Sequence, residues 1–326
     1  METTKQARPV VQAGPVVGAV DIGGPKIAAG LVNSEGAVLA WEECATEQER
    51  GFADGVDRIA GMLRHCASRA NAEVSGIGIG CTGPVYPHNG EIGDVEFLKS
   101  WKGANLVAAL ESRFGVRAAL ENDADAAALG EASWGAGRGK QQVVFVTVGT
   151  GIGVGIVLKG ELYRGVDGAH PEIGHQIVDA SGPPCYCGAR GCWEALAAGP
   201  ALARWMDEQR PGCGLSAKQI CAMAAAGDEL ARNAVEREGH YLGLGLANLV
   251  NIFCPEAIVL GGSVMQSAPL FIDRIGEEIR RNCTQVPAER TEIRLPSLGP
   301  QAAIIGAART WHHRFRGKEE PSVAGS

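Results

Sequence analysis

Two glycine-rich stretches combine residue types that bind phosphate. One is DIGGPK, residues 21–26, and the other is TVGTGIGVG, residues 147–155. Glycines let backbone N–H groups approach phosphate oxygens, threonine hydroxyls add donors, and an adjacent acidic side chain holds Mg²⁺ through water. Most such hairpins are only tight turns, but two of them, one opening each half of the chain, indicate nucleotide phosphate binding. The candidate residues are Asp21, Gly23, Gly24, Lys26, Gly149, Thr150 and Gly151.

A third stretch, VLGGSV, places Gly261 and Gly262 at the end of an apolar run. Two glycines there let a flat ligand, such as the adenosine part of a nucleotide, lie against the backbone. Taken alone, the pattern favours a simple strand-to-helix turn. We include both glycines as nucleotide-binding candidates beside the two phosphate loops.

A cluster of thiols lies in HPEIGHQIVDASGPPCYCGARGCWE, residues 170–194. Three of the ten cysteines occupy the eight positions 185–192, and His175 lies ten residues before the first of them. The N-terminus lacks the apolar segment of a secretory signal, so we expect a reducing compartment and no disulfide framework. The other seven are expected as buried core residues: Cys44, Cys66, Cys81, Cys213, Cys221, Cys254 and Cys283.

Composition sets the broad class. The chain has 326 residues, 45% of them hydrophobic, and a formal net charge of −7. That length usually divides into two domains. No apolar run is long enough to span a membrane, and an acidic chain without a basic run offers nucleic acid little to bind. We therefore expect a cytoplasmic protein.

The elements that must position these residues repeat once. Residues 16–39 and 143–163 each contain an apolar run, a glycine-rich turn, a second apolar run, and a polar turn leading to a third. This pattern predicts two related three-strand meanders, followed by alternating helices and strands of an α/β fold. Helices are expected over 52–71, 104–114, much of 196–252 and 268–282, and strands over 74–80, 117–122, 256–262 and 291–298.

Six motifs together resemble the ROK family of bacterial sugar kinases and related repressors. They are DIGGPK, the TGP of GIGCTGP, LEND, VTVGTGIGVG, HPEIGH and CYCGARGCWE, within a resemblance that covers residues 16–310. It implies a two-domain actin-like, ribonuclease H-like ATPase fold with an interdomain cleft and a zinc-pinned loop. The expected division is a flexible tail over 1–15, a small domain over 16–121 on which a helix near 300–314 packs, a large domain over 122–299, and a tail over 315–326.

The resemblance also implies roles for the thiol cluster. It assigns four structural zinc ligands, His175, Cys185, Cys187 and Cys192, a donor set that suits tetrahedral Zn²⁺. His170 is a rival ligand, but the match to EIGH favours His175. The second ring nitrogen of His175 would face the sugar. The other implied sugar-binding residues are Gly83, Asn122, Glu172 and Glu194; alone, either glutamate would be interpreted as a surface charge.

LEND carries the implied catalytic carboxylate. By resemblance, Asp123 is the general base for the attacking sugar hydroxyl, with Mg²⁺ and ATP as cofactor and co-substrate. The alternative is that Asn122 and Asp123 only cap a helix. Asp125 is a weaker rival, which we expect to be solvent-facing or structural.

Two positions depart from the family pattern. Pro25 replaces the usual threonine of the first loop, which removes a hydroxyl and a backbone N–H donor. Phe97 stands where kinases of this family commonly carry an asparagine that contacts the sugar, and Glu96 could compensate. The sugar is therefore left open by the sequence.

The leading functional hypothesis is an ATP-dependent glucokinase of carbohydrate metabolism and glycolysis that acts at the 6-hydroxyl. The first alternative is a kinase that phosphorylates an N-acetylhexosamine, such as N-acetylmannosamine or N-acetylglucosamine. A repressor is a second hypothesis, disfavoured because only some fifteen residues precede the first loop, and a non-catalytic sugar-binding protein is a third. By resemblance we expect a homodimer or homotetramer.

Overall fold

In a computed structural model, the chain is described over residues 14–315. The expected flexible tails lie outside these residues, apart from their innermost positions. The strands are β1 (Val17–Ile22), β2 (Lys26–Val32), β3 (Val38–Ala45), β4 (Gly76–Cys81), β5 (Val85–Tyr86), β6 (Glu91–Ile92), β7 (Ala118–Asn122), β8 (Gln142–Val148), β9 (Ile152–Leu158), β10 (Glu161–Leu162), β11 (Ala257–Gly261) and β12 (Glu292–Arg294). The α-helices are α1 (Phe52–Ala70), α2 (Leu106–Phe114), α3 (Asp123–Trp134), α4 (Trp193–Ala197), α5 (Gly199–Gln209), α6 (Ala217–Ala226), α7 (Glu229–Phe253), α8 (Ile272–Asn282) and α9 (Ala302–Phe315).

The described residues pack into two compact units. The first unit comprises those up to Gly130 and those from Pro300, and the second is Glu131–Gly299. We expected a boundary after residue 121, whereas the division falls within α3. The reason is packing, because the start of α3 lies against α9: a Cβ added at Gly306 would stand 2.5 Å from the carbonyl oxygen of Ala126.

The first unit is built on a five-stranded sheet of order β3-β2-β1-β4-β7. The meander β1–β2–β3 is antiparallel, and β1, β4 and β7 run parallel. Helices α1 and α2 cover one face, and α9 covers the other. Gly78 of the fully buried β4 permits this close approach, since a Cβ there would stand 1.9 Å from the carbonyl oxygen of Ala307 in α9.

The second unit repeats the arrangement with the order β10-β9-β8-β11-β12. Its meander is antiparallel, while β8, β11 and β12 run parallel. The core contains Trp193 and Phe271 and is completed by the helices of this unit. The predicted α/β architecture with two meanders is thus confirmed.

The scattered cysteines do not all lie in the core. Cys66, Cys81, Cys221 and Cys283 are buried as expected, whereas Cys254 is exposed. Cys254 ends α7 in the left-handed conformation with φ of 44°, a helix-terminal position that faces water. Among residues 14–315, no helix has both the length and the apolar character needed to cross a membrane.

Candidate active site and metal centre

The carboxyl ends of three parallel strands gather polar side chains in the first unit. Asp21 of β1 lies level with Gly80 of β4, and Asn122 of β7 lies level with Cys81. Since ligands of α/β sheets bind outside the carboxyl ends of parallel strands, this edge is a candidate site. Asp123 follows directly after β7 and joins the group.

Asp21 and Asp123 interact electrostatically. Burial, followed by the negative charge of Asp123, raises the pKa of Asp21 from its ordinary value of 3.8 to about 7, and the nearby Lys26 opposes this effect. When one carboxyl of a pair has a raised pKa, a bound cation or a shared proton is favoured, because either reduces the repulsion between two negative charges. Their oxygen donors fit a Mg²⁺ ion held through water, the cofactor that the sequence predicts at this loop.

Asn122 and Asp123 both bond the start of α3. The backbone N–H of Ala124 donates to Oδ1 of Asn122 at 2.9 Å and to Oδ1 of Asp123 at 2.8 Å. Gly83 is close by, since a Cβ there would stand 2.9 Å from Nδ2 of Asn122. Helix capping and a catalytic role for the exposed Asp123 are therefore compatible, because the cap bond engages one oxygen.

Asp125 does not face solvent. Its side chain is fully buried in the first unit. Of the two alternatives expected for Asp125, solvent-facing or structural, the structural one therefore holds. The adjacent residue Ala126 lies against α9, since a Cβ added at Gly306 would stand 2.5 Å from its carbonyl oxygen.

The first phosphate loop is closed by hydrogen bonds that do not need an N–H at position 25. Gly23 N–H donates to the carbonyl of Lys26 at 3.0 Å, and the buried Thr46 donates through Oγ1 to the Gly23 carbonyl at 2.9 Å and through its N–H to the Pro25 carbonyl at 3.2 Å. Pro25 therefore fits the loop. Thr46 was missed by the sequence analysis, and Lys26 forms an exposed ion pair with Glu43 at 2.8 Å.

The two departures from the family pattern meet on this loop. The ring of Phe97 lies against Gly24, where an added Cβ would stand 3.1 Å from the ring. Phe97 is 56% exposed although its neighbours Leu98 and Trp101 are fully buried. An exposed aromatic ring thus borders the phosphate loop that Pro25 modifies.

The nucleotide candidates of the second unit also come together. Strands β8 and β11 are parallel neighbours with Gly261 level with Thr147. Gly262 has φ of +92°, and a Cβ there would stand 2.3 Å from a carbonyl oxygen at the end of β8. The loop Gly149–Gly151, with its exposed threonine, is closed by a 2.9 Å bond from Gly149 N–H to the Gly151 carbonyl. Both stretches thus lie at one sheet edge.

The second unit contains the candidate metal centre. The ligand atoms of His175, Cys185, Cys187 and Cys192 all lie within 4.8 Å of one another. Nδ1 of His175 is 3.6 Å from Sγ of Cys185, and Sγ of Cys187 is 3.6 Å from Sγ of Cys192. A tetrahedral zinc ion with Zn–S bonds of about 2.3 Å places sulfurs about 3.8 Å apart, so these four residues could hold it. His170 is not in the group.

Backbone geometry fixes the course of the loop that carries these ligands, and burial changes the ionisation of one of its thiols. Gly191 has φ of +72°, and a Cβ there would stand 1.6 Å from the Asp179 carbonyl oxygen, so only glycine fits where the loop folds back. Burial, followed by hydrogen bonds with the other two thiols, raises the pKa of Cys192 to about 12. A metal ion bound here would therefore have to displace the proton of Cys192.

Tyr186 lies at the far side of the His175 ring. Its hydroxyl is 3.2 Å from Nε2 of His175, and the two rings meet edge-on with centroids 5.1 Å apart. Partial removal from water, followed by the charges of Glu194 and Glu172, raises the pKa of the Tyr186 phenol to about 12. The three predicted sugar-binding groups Glu172, His175 and Glu194 thus all act on one hydroxyl, His175 by direct contact. Sequence analysis missed Tyr186, although its position between two ligand cysteines was a usable signal.

Glu194 joins the metal-binding segment to the second phosphate loop. Its Oε2 accepts a hydrogen bond from the Ile152 N–H at 2.9 Å. A Cβ added at Gly151 would stand 2.3 Å from the same oxygen. The glycine therefore makes room for the carboxylate, and the sugar-binding and nucleotide-binding candidates of this unit are mechanically connected.

The family model described as ROK family matches residues 17–314. The chain belongs to the ROK family. This ROK protein is 33% identical to a glucokinase of Streptomyces coelicolor over 312 residues, which cover 89% of the chain and 95% of that relative. It is also 31% identical to a xylose repressor of Bacillus spizizenii, over 90% of the chain and 76% of the repressor.

Solved structures agree with this assignment. A ROK hexokinase from Thermus thermophilus superposes with a TM-score of 0.82 at 36% identity, covering 90% of this chain and 97% of the hexokinase. A ROK glucokinase from Streptomyces griseus, crystallised with glucose and AMPPNP, gives a TM-score of 0.75 at 32% identity, covering 90% of this chain and 98% of the glucokinase. The predicted ROK membership and actin-like fold are confirmed, and the relatives support a sugar kinase.

Proposed function

We propose that this ROK protein transfers the γ-phosphoryl group of ATP to the 6-hydroxyl of a hexose, with D-glucose as the substrate. The observation that carries the proposal is the carboxyl pair of the first unit, in which the exposed Asp123 acts electrostatically on the partly buried Asp21. A sugar sensor has no need of a proton acceptor. A phosphotransferase needs one close to a group that organises phosphate charge.

In this proposal Asp123 accepts the proton of the attacking hydroxyl. The bond from Ala124 N–H to Oδ1 fixes the side chain's direction, so the base is oriented before the sugar arrives. Asn122, held by the same N–H, offers its amide to a neighbouring hydroxyl. A Mg²⁺ ion near Asp21 would supply neutralisation of the phosphate charge.

The second unit would contribute the remaining sugar-binding groups. Glu172 and Glu194 can accept hydrogen bonds from sugar hydroxyls, and Nε2 of His175 can donate one when Nδ1 binds a metal ion. The Ile152 N–H holds Glu194 in place. Phosphates of ATP would bind the backbone of Gly149–Gly151, with the adenosine beside Gly261 and Gly262.

We also propose that the enzyme is cytoplasmic, because ATP is available in the cytoplasm and the thiols of a zinc site stay reduced in that compartment. The relative that was crystallised with glucose and an ATP analogue supports the choice of substrates. The exposed Phe97 favours keeping an N-acetylhexosamine as a second candidate, since a phenyl ring can contact an acyl group but cannot bond a hydroxyl.

The test is a coupled ADP-release assay over glucose, mannose, N-acetylmannosamine and N-acetylglucosamine. Asp123→Asn should lower kcat by about 10²- to 10⁴-fold, the usual contribution of a general base, while calorimetry shows sugar affinity within a few-fold of wild type. Asp57→Asn, on the surface of α1, is the matched control and should retain full turnover.

Two results would count against the proposal. Undiminished turnover in Asp123→Asn would remove the assigned base. If no sugar is phosphorylated, and a gel shift shows specific DNA retention that a sugar reverses, the repressor hypothesis takes its place.

A further inference from the structure

The hydroxyl of Tyr186 occupies a position that nothing in the kinase proposal requires. It lies 3.2 Å from Nε2 of His175, and the carboxylates of Glu194 and Glu172 are near enough to act on it electrostatically. These are the three groups to which the proposed function assigns sugar hydroxyls. A protein hydroxyl therefore stands at the nitrogen that the proposed function assigns to a sugar hydroxyl.

Hydrogen-bond directions make this contact a close match to a bound carbohydrate hydroxyl. Nδ1 of His175 points at the cysteine cluster, so in the metal-loaded protein the ring proton is on Nε2 and is donated to the Tyr186 oxygen. The phenol proton is then free to point at a carboxylate. A sugar hydroxyl likewise accepts one hydrogen bond and donates another.

The phenol ring is poorly anchored compared with the groups around it. Tyr186 is 83% exposed, and its ring meets the His175 ring edge-on. By contrast, Cys192 and Trp193 are completely buried, and Glu194 is held by the Ile152 N–H. A rotation of Tyr186 away from His175 thus uncovers little apolar surface and leaves the surrounding groups in place.

We propose that the Tyr186 hydroxyl holds the place of a substrate hydroxyl between His175 and the two glutamates, and that the sugar displaces it on binding. Tyr186 is then an affinity-determining residue that competes with the substrate. This inference rests on the proposed sugar-binding role of Glu172, His175 and Glu194. In exchange for weaker binding, the competing hydroxyl keeps Nε2 of His175 paired while no sugar is bound.

The direct test is calorimetry with D-glucose on metal-loaded wild type and Tyr186→Phe, without nucleotide. The variant keeps the ring and loses only the competing hydroxyl. An ordinary intramolecular hydrogen bond corresponds to a factor of about 2 to 10 in an equilibrium constant, so the variant should bind glucose about 2- to 10-fold more tightly. Tyr163→Phe, an exposed tyrosine packed on Phe253, is the control and should not change affinity.

A spectroscopic readout separates displacement from a fixed positioning role. The chain has four tyrosines, so 3-fluorotyrosine labelling gives a small set of ¹⁹F resonances, and Tyr186→Phe identifies one of them by its loss. Saturating glucose should shift the Tyr186 resonance towards that of a solvated tyrosine and leave the others unmoved.

The outcomes are distinguishable. Glucose binding that is unchanged or weaker in Tyr186→Phe, or a Tyr186 resonance that does not move, overturns this inference and leaves the kinase proposal standing. Wild type that binds no hexose at all, while retaining its metal, overturns both.

Discussion

Replacing Asp21 by asparagine should stabilise the sugar-free chain, and increasingly so as the pH rises. Burial and the charge of Asp123 raise the Asp21 pKa from 3.8 to about 7. Between these values the unfolded chain has lost the Asp21 proton while the folded chain still holds it. The free energy of unfolding therefore falls as the pH rises through this window, and asparagine, which cannot ionise, avoids the loss.

The magnitude follows from the same two values. A difference of about three pH units at about 1.4 kcal/mol each amounts to about 4 kcal/mol, reached near pH 7 and absent near pH 4. Asp123→Asn removes the second-largest cause of the raised pKa. In that background the pH dependence due to Asp21 should move to lower pH and shrink.

The assay is urea unfolding of wild type and Asp21→Asn at half-unit steps from pH 4.5 to 8, with the metal loaded and no nucleotide. The stability difference should grow by about 1.4 kcal/mol per pH unit until about pH 7 and then level off. Asp57→Asn, an exposed carboxyl on α1, controls for a general loss of charge. A stability difference for Asp21→Asn that stays constant across the range would refute the reasoning.

Three further outcomes are expected. Cys185→Ser should lose the bound metal, measured by elemental analysis as a fall from about one zinc per chain, and should also lose glucose binding in calorimetry. The control Cys254→Ser should keep both. Wild type that purifies without metal would contradict the assignment. Gly78→Ala should lower the free energy of unfolding in urea by about 1–3 kcal/mol or more, because its Cβ would overlap a carbonyl of α9. Gly61→Ala, at an open position of α1, should raise it by about 0.5–1 kcal/mol. Equal effects of the two substitutions would contradict the described packing. Phe97→Asn should raise kcat/KM for glucose by about 2- to 10-fold through a restored hydrogen bond, whereas a fall would indicate a sugar that contacts the ring.

The fold was predictable because its signals are local. Apolar runs separated by glycine-rich turns identify a meander wherever they occur, and the repeat at residues 16–39 and 143–163 predicted two of them. Both are present as antiparallel strands. The division into compact units falls within α3 rather than after residue 121, and its position depends on contacts such as that between α3 and α9, which are far apart in the chain.

The candidate metal centre was equally predictable from the sequence, but the groups that surround its histidine were not. Four donors within a short segment must lie near one another, and the structure places their ligand atoms together. The group that hydrogen-bonds to Nε2 of His175 depends on how the loop folds back at Gly191. That fold brings Tyr186 to the ring, an approach that residue spacing alone does not specify.

Residue types and spacing alone therefore determined the repeated α/β architecture, the two glycine-rich loops and a thiol–imidazole cluster, because each depends on neighbours in the chain. Tertiary structure decided the rest: the shift in the Asp21 pKa, the burial of Asp125 and the contact of Phe97 with Gly24. Each of these depends on distances between residues that sheet pairing and helix packing bring together. Burial and charge interactions arise only once those distances are set.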